Sequence, residues 1–250
     1  MKERLDKILV DTGIASSRER ARALIMEGKV LVNGAPVTKA GSLVAADAPV
    51  EVRGGEIPYV SRGGLKLEAA LEHFNISVGG KIAMDVGAST GGFTDCLLQR
   101  GVEKVYCIDV GYGQLAWKLR QDPRIVLIER TNIRYLEREK IPGPVALATI
   151  DVSFISLVKV VPKVLEFLKP GGEMITLIKP QFEVGKGEVD KGGVIKDAAK
   201  RERTVERVKV ELEALGLNII GVMQSPITGQ KGNIEYLIYM RSHTPKRNGE

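Results

Sequence analysis

The chain has 250 residues, of which 44% are hydrophobic and 27% are charged, and its net charge is +6. This composition is typical of an ordinary globular protein, and the length allows an α/β domain with a smaller domain beside it. The pI of about 9.2 favours polyanionic partners without identifying one.

Residue usage disfavours several classes of protein. Cys96 and Cys107 have the spacing of neither a disulfide framework nor a zinc site, and with only His73 and His243 no metal site is expected. The N-terminus is charged, without the apolar core of a signal peptide, and no run approaches the ~20 apolar residues that a membrane helix needs. We therefore expect a cytoplasmic protein that does not associate with membranes and has no obligate protein partner.

The first part of the chain predicts two short helices. The first covers residues 4–12 and stops at Gly13. The second has Ser16 as its N-cap, with Glu19 in the capping-box position, and ends at Gly28. The apolar residues of each helix fall on one face.

A hairpin follows the two helices and completes a small α+β domain over residues 1–60. Asn33-Gly34 predicts its tight turn. The order of these elements, and the sequence motifs within residues 3–60, resemble the RNA-binding domain first recognised in a small-subunit ribosomal protein. The resemblance implies contacts with an RNA backbone, and the candidate RNA-binding residues are Arg4, Arg18, Arg22, Lys29 and, beyond this domain, Arg62.

Beyond a glycine-rich linker at residues 54–64, apolar strand-like runs alternate with helical stretches. The strands are predicted at 81–86, 103–110, 124–129, 145–150, 173–178, 217–222 and 234–240, and the main helices at 65–74, 91–100, 155–168 and 196–215. This alternation favours a parallel sheet covered on both faces. The expected fold class is therefore α/β, a seven-stranded doubly wound sheet of the methyltransferase (Rossmann-like) kind over residues 61–240. A tail follows at 241–250.

The segment 81–93 indicates a cofactor site. An apolar strand ends at Asp85, a glycine-rich turn follows, and a helix begins. The spacing differs from the fingerprint for nicotinamide dinucleotides, G-x-G-x-x-G. S-adenosylmethionine carries cationic groups instead of a pyrophosphate, so a carboxylate such as Asp85 near those cations is a sensible partner.

Polar residues at the ends of the following strands extend this site. Asp109 is placed to accept the hydroxyls of a cofactor ribose, and Asn132 is placed to reach an adenine. The candidate residues for binding S-adenosylmethionine are Asp85, Gly87, Ala88, Ser89, Gly91, Gly92, Phe93, Asp109, Val110, Asn132 and Asp151.

Four charged residues form a candidate catalytic set. Asp151 follows the fourth strand, Lys179 follows the fifth, Glu235 lies at the last strand, and Lys66 lies on the helix that opens the second domain. The set resembles the Lys-Asp-Lys-Glu tetrad of the ribose 2′-O-methyltransferases, over about residues 61–240. Its motifs are Ser61-Arg62-Gly63-Gly64-Leu65-Lys66-Leu67, Thr149-Ile150-Asp151-Val152-Ser153-Phe154, Lys179-Pro180-Gln181-Phe182-Glu183 and Asn233-Ile234-Glu235-Tyr236.

With the RNA-binding domain in front, the whole chain resembles the hemolysin A (TlyA) family. That resemblance implies 2′-O-methylation of cytidine in ribosomal RNA or ribosomal subunits, with S-adenosylmethionine as cofactor. A ribose hydroxyl is a weak nucleophile that needs a base or a stabilising cation, and Lys179 fits either role.

Three other functions compete with this interpretation. Methylation of a base amine is disfavoured, because the proline-aromatic signature expected after Asp151 is missing. A non-catalytic ribosome-binding role predicts a damaged tetrad, whereas all four positions are intact. A membrane-lytic role lacks a signal peptide, a spanning helix or a lytic amphipathic segment. The charged glycine-rich loop at 183–194 is interpreted either as a cover over substrate or as a flexible connection.

Overall fold

The computed structural model describes residues 2–15, 17–52, 57–185, 187–190 and 192–243. The chain divides into two compact units, Met1–Pro58 and Tyr59–Glu250. The predicted fold class is confirmed: a small α+β unit stands at the N-terminus, and the second unit is built on a seven-stranded sheet.

The first unit packs two helices against two small sheets. Strands β1 and β4 pair in one sheet, and the other sheet has the order β3-β2-β5. The elements are β1 (Lys2–Arg4), α1 (Leu5–Asp11), α2 (Arg18–Met26), β2 (Val30–Val32), β3 (Ala35–Pro36), β4 (Leu43–Ala45) and β5 (Val50–Val52). The predicted apolar faces form its core, with Leu5, Leu9, Leu24 and Ile25 almost completely buried.

The start of α2 and the hairpin turn can be compared with their predictions. Ser16, the predicted N-cap, lies outside the described residues, and the N-cap is Ser17, whose side chain accepts a hydrogen bond from the Arg20 amide. The hairpin turn is confirmed, because Asn33 and Gly34 both have positive φ, 52° and 78°. Two consecutive residues in that region are what a tight turn between twisted strands requires.

The second unit contains all seven predicted strands. Its elements are α3 (Gly63–His73), β6 (Ile82–Val86), α4 (Gly92–Gln99), β7 (Lys104–Ile108), α5 (Trp117–Arg120), β8 (Ile125–Ile128), β9 (Val145–Ile150), α6 (Val161–Leu165), β10 (Leu168–Ile178), α7 (Pro180–Glu183), α8 (Ala198–Ala214), β11 (Leu217–Gln224) and β12 (Tyr236–Ser242).

The sheet has the order β11-β12-β10-β9-β6-β7-β8. Strands β8, β7, β6, β9 and β10 are parallel neighbours, whereas β12 runs antiparallel to both β10 and β11. Every residue of β9 is buried, as expected for a central strand covered on both faces. The carboxyl ends of β6, β7, β9 and β10 therefore meet at one edge of the sheet.

The predicted helix at 155–168 is wrong in extent. The structure has a 3-10 turn at Leu157–Lys159 followed by the short helix α6, and β10 begins as early as Leu168. Pro162 lies in the first turn of α6, where its missing N–H is tolerated; further inside a helix it would break the ladder of hydrogen bonds.

A buried carboxylate organises the first unit. Asp6 on α1 is fully buried and accepts hydrogen bonds from Arg4 Nε (2.9 Å) and Nη2 (2.8 Å) and from Arg22 Nε (3.2 Å). Hydrogen bonding from Arg4, helped by Arg22, holds the pKa of Asp6 well below its ordinary range, although burial acts in the opposite direction. The carboxylate thus ties β1, α1 and α2 together.

Replacing Asp6 with Asn is expected to lower the free energy of unfolding of the first unit by about 1.5–3 kcal/mol at pH 7, the usual contribution of hydrogen bonds to a charged group. Because folding lowers the pKa of Asp6, its contribution is present above the ordinary pKa of about 3.9 and is lost as the pH falls through the folded-state pKa. Denaturant unfolding as a function of pH measures the difference between the two proteins.

Asp11→Asn is the matched control, because Asp11 lies on the same helix and makes only an exposed ion pair with Lys7. Its unfolding free energy should stay close to that of the unmodified chain. Equal destabilisation by the two substitutions would contradict the central place of Asp6.

Candidate active site at the carboxyl edge of the sheet

Two cavities adjoin at the carboxyl edge of the sheet. The first, named the β7 cavity, has a volume of about 510 Å³ and is lined by residues that include Asp109 and Asn132. The second, named the α3 cavity, has a volume of about 270 Å³ and is lined by residues that include Lys66. Gly87, Ser89 and Asp151 line both cavities.

The glycine turn after β6 separates the two cavities. Gly87 has φ +83°, and a Cβ placed on it would lie 2.4 Å from the backbone oxygen of Asp151. The Asp151 amide also donates to the Val86 carbonyl at 2.9 Å. Only glycine combines this φ with so close an approach of another chain segment.

Asp109 lies directly after β7 and faces the β7 cavity. Its carboxylate accepts hydrogen bonds from the amides of Ser89 and Gly111, each at 2.7 Å. An ionised carboxylate has about four acceptor positions, so two remain for a ligand. Val110 and Asn132 line the same cavity, as the sequence predicts for a ligand-binding edge.

Asp85 occupies a different place from the one expected. It is fully buried, and its two oxygens accept hydrogen bonds from the hydroxyls of Thr94 (2.7 Å) and Thr149 (2.8 Å). Burial raises the pKa of Asp85 to about 6, against the effect of these hydrogen bonds. It lines neither the β7 cavity nor the α3 cavity. The carboxylate thus joins β6 to α4 and β9, and its role beside a cationic ligand stays a prediction.

The remaining residues of the predicted cofactor turn differ in whether they line a cavity. Ala88, Gly92 and Phe93 line the α3 cavity. Gly91 lines neither cavity; with φ +96° it precedes α4, and a Cβ there would lie 2.3 Å from the Leu119 side chain. Gly91 thus allows close packing of Leu119, and its predicted contact with the cofactor stays a prediction.

Lys66 and Glu235 form a buried ion pair. Lys66 Nζ lies 2.5 Å from Glu235 Oε2, and the side chains are only 10% and 3% exposed. The Glu235 carboxylate packs against Gly229 in the loop before β12. A Cβ on Gly229 would lie 1.8 Å from Glu235 Oε1, so a side chain there would clash with the carboxylate. Gly229 was not singled out from the sequence, where only its proximity to Glu235 distinguishes it.

Lys179 and Asp151 form a second ion pair at the ends of β10 and β9. Lys179 Nζ lies 2.5 Å from Asp151 Oδ1 and donates to Ser153 Oγ at 2.9 Å. Asp151 and Lys66 both line the α3 cavity, so each ion pair contributes one residue to its lining. The structure thus brings the four predicted catalytic residues to one edge. Ser153 was missed, since nothing in its spacing marks it as a partner of Lys179.

The candidate RNA-binding residues have distinct surroundings. In the second unit, Arg62 lines the α3 cavity and donates to the Thr228 carbonyl at 3.2 Å. In the first unit, Arg18 is exposed, whereas Lys29 pairs with Glu27 at 2.7 Å. Arg4 and Arg22 keep about half of their side-chain surface exposed while they bind Asp6.

An aromatic pair beside the second ion pair was also missed. Phe154 is 86% exposed and has φ +63°, and its ring centroid lies 4.8 Å from that of Phe182. These two residues follow Asp151 and Lys179 by three positions each. An apolar residue in a motif reads as core from sequence alone, so its exposure could not be foreseen.

Part of the glycine-rich loop at 183–194 contacts the loop that precedes Glu235. Asn233 Nδ2 donates to the Gly193 carbonyl at 2.9 Å, and the Ile195 amide approaches Asn233 Oδ1 at 3.3 Å. Lys186 and Lys191 of the same loop lie outside the described residues. The described part is thus anchored next to the α3 cavity.

The described residues lack two further kinds of feature, a metal site and a helix that could span a membrane. They contain no group of three or more His, Cys, Asp and Glu residues arranged to hold a metal ion. In the same part of the chain, every helix is too short or too polar to cross a membrane.

Comparison with known proteins agrees with this architecture. Residues 59–242 match the model of the FtsJ-like methyltransferases, and residues 3–50 match the S4 domain. The 16S/23S rRNA (cytidine-2′-O)-methyltransferase TlyA of Mycobacterium tuberculosis is 47% identical over 97% of this chain and 91% of its own length. Hemolysin A of Brachyspira hyodysenteriae is 44% identical over 94% of this chain and 98% of its own length.

A solved structure is also similar to this chain over nearly its whole length. The "Putative hemolysin from Streptococcus thermophilus" superposes with a TM-score of 0.77 at 41% identity, covering 97% of this chain and 89% of the other. Both domain matches and both full-length relatives thus agree with the predicted resemblance. The chain belongs to the FtsJ-like methyltransferase family and carries an S4 domain in front of its methyltransferase domain.

Proposed function

We propose that this chain transfers a methyl group from S-adenosylmethionine to the ribose 2′-hydroxyl of cytidine in ribosomal RNA, acting on ribosomal subunits in the cytoplasm. The observation that carries the proposal is that two ion pairs, Lys66–Glu235 and Lys179–Asp151, each contribute one residue, Lys66 and Asp151, to the lining of the α3 cavity, which adjoins the β7 cavity. The name of the Mycobacterium tuberculosis relative supports cytidine as the target nucleoside.

The β7 cavity fits S-adenosylmethionine in size and in chemistry. Its volume of about 510 Å³ lies within the range of about 300–1,000 Å³ typical of small-molecule sites. Asp109 retains two acceptor positions for the ribose hydroxyls, Asn132 offers an amide to the adenine, and Val86 and Ile108 give an apolar wall. When bound, the cofactor supplies an electrophilic methyl group.

The α3 cavity would hold the ribose of the target nucleotide. Lys66, ion-paired with Glu235, would bind a ribose oxygen. Lys179, ion-paired with Asp151, would stabilise the negative charge that develops on the 2′-oxygen as the hydroxyl proton leaves to water and the oxygen takes the methyl group. Because both cations are held by carboxylates, little reorganisation is needed when the hydroxyl reacts. Holding the hydroxyl in line with the methyl donor supplies much of the acceleration.

Contacts with RNA would come from both domains. Arg62 at the α3 cavity would bind the target strand close to the reacting ribose. In the S4 domain, Arg18, Arg22 and Lys29 would bind phosphates elsewhere on the substrate and, with Arg4, give salt-dependent affinity. The exposed halves of Arg4 and Arg22 remain available for this while Asp6 fixes their position.

Replacing Lys179 with Ala is expected to lower kcat for methyl transfer to unmodified ribosomal subunits by about 100-fold or more, because a charge that stabilises the transition state is removed. Incorporation of radiolabelled methyl groups into ribosomal RNA measures the rate. Binding of S-adenosylmethionine, followed by calorimetry, should change little, since Lys179 is not among the residues lining the β7 cavity.

Lys169→Ala is the matched control, because Lys169 is an exposed lysine at the opposite end of the same strand, β10. It should keep full activity. Full activity of the Lys179→Ala variant would contradict the proposed catalytic role, and loss of activity in both variants would point to damage to the strand.

Replacing Asp109 with Asn is expected to raise the Kd for S-adenosylmethionine by about 10-fold or more, since a neutral amide accepts ribose hydroxyl hydrogen bonds less strongly than a carboxylate does. Calorimetric titration measures this affinity. Asp122→Asn is the control, because Asp122 also accepts a backbone hydrogen bond, from Arg124, at a site outside both cavities. Unchanged affinity in the Asp109→Asn variant would remove Asp109 from the cofactor site.

A further inference from the structure

Glu183 is a buried carboxylate for which the proposed reaction has no use. It ends α7, four residues after Lys179, and it is 7% exposed. Burying a charged side chain is unfavourable unless partners compensate for the lost hydration. The contacts of the Glu183 carboxylate therefore indicate why a charged residue occupies this buried position.

The carboxylate joins the chain after Lys179 to the chain after Asp151. Glu183 Oε1 accepts a hydrogen bond from the Leu157 amide at 2.9 Å, and Leu157 begins the 3-10 turn that follows the Asp151 loop. From the other side, Arg207 on α8 donates to the Glu183 carbonyl at 2.6 Å. Glu183 is thus held in place while it holds the neighbouring segment.

Two further contacts connect the same two segments. Lys179 contacts Asp151 and Ser153 at one end, and the rings of Phe182 and Phe154 lie 4.8 Å apart in the middle. The hydrogen bond from Leu157 closes the far end. The three contacts therefore align residues 179–183 with residues 151–157, and the first of them is the catalytic ion pair.

Stability alone is a poor explanation for this carboxylate. Within the described part of the chain, Glu183 Oε2 is buried without a hydrogen-bond partner. Burial also raises the pKa of Glu183, although the Leu157 amide, the Ser156 side chain and the charge of Arg207 act against the shift. A buried polar atom without a partner is destabilising, and an apolar side chain of similar size would avoid that loss.

We infer that Glu183 is a positioning residue for the Lys179–Asp151 pair, holding the loop after Asp151 in register with the chain after Lys179. The inference rests on the proposed catalytic role of that pair. A misplacement of about 1 Å in a catalytic group can lower a rate by about 100-fold. Loss of the Leu157 hydrogen bond should therefore affect kcat and leave cofactor binding almost unchanged.

Three variants test the inference. Glu183→Ala is expected to lower kcat by about 10–100-fold with little change in the KM for S-adenosylmethionine. Glu183→Gln should retain most of the activity, because the amide oxygen still accepts from the Leu157 amide. Glu206→Ala, which removes an exposed glutamate on α8, is the control and should behave like the unmodified chain.

A second readout does not depend on methyl transfer. Pulse acetylation with acetic anhydride, followed by peptide mass spectrometry, measures how fast Lys179 is modified relative to the exposed Lys169. In the Glu183→Ala variant Lys179 should react several-fold faster, because its ion pair with Asp151 is loosened. The Glu183→Gln and Glu206→Ala variants should keep the original rate.

The outcomes separate the inference from the proposed function. The positioning role is overturned if Glu183→Ala lowers only the Tm. In that case both the kcat measured below the unfolding temperature and the acetylation rate of Lys179 would be unchanged. If the unmodified chain transfers no methyl group, the proposed function fails, and the acetylation of Lys179 alone decides whether Glu183 positions it.

Discussion

The close approach of the Asp151 backbone to Gly87 is the constraint on which the site depends. The Asp151 oxygen lies only 2.4 Å from where a Cβ of residue 87 would be, so any side chain there would force β6 and β9 apart at their carboxyl ends. With the strands in contact, Asp151 and the glycine turn form the wall between the β7 and α3 cavities. A ligand in one cavity is thereby brought next to a ligand in the other.

The charges at this edge are arranged in pairs, and each pair joins distant parts of the chain. Lys66 reaches Glu235 across 169 positions, and Lys179 reaches Asp151. Buried ion pairs add little to stability once the loss of hydration is counted. In the proposed function their value is to hold two cations beside the α3 cavity, where they would act on developing negative charge. Glu183 likewise adds little to stability, and its inferred value is to position the Lys179–Asp151 pair.

The sequence predicted the fold better than it predicted the surroundings of each side chain. The strands read as apolar runs, so all seven were found, although the antiparallel direction of β12 was not, and Asp109 was identified from its place at the end of a strand. The orientation of Asp85 depends on hydroxyls from α4 and β9, which a linear pattern does not reveal. The helix predicted at 155–168 is wrong in extent, although its apolar spacing is helical. Pro162 would fall in the interior of so long a helix, and the chain enters strand β10 at Leu168. Glu183 could not be distinguished, since its partner is a backbone amide 26 residues away.

The central claim is that the methyl group goes to a ribose oxygen. The most direct measurement is digestion to nucleosides of ribosomal RNA methylated by this protein, followed by mass spectrometry against unmodified subunits. A gain of 2′-O-methylcytidine is expected, with the mass increase on the sugar fragment. A methyl group on the base fragment would contradict it, as would a gain confined to another nucleoside.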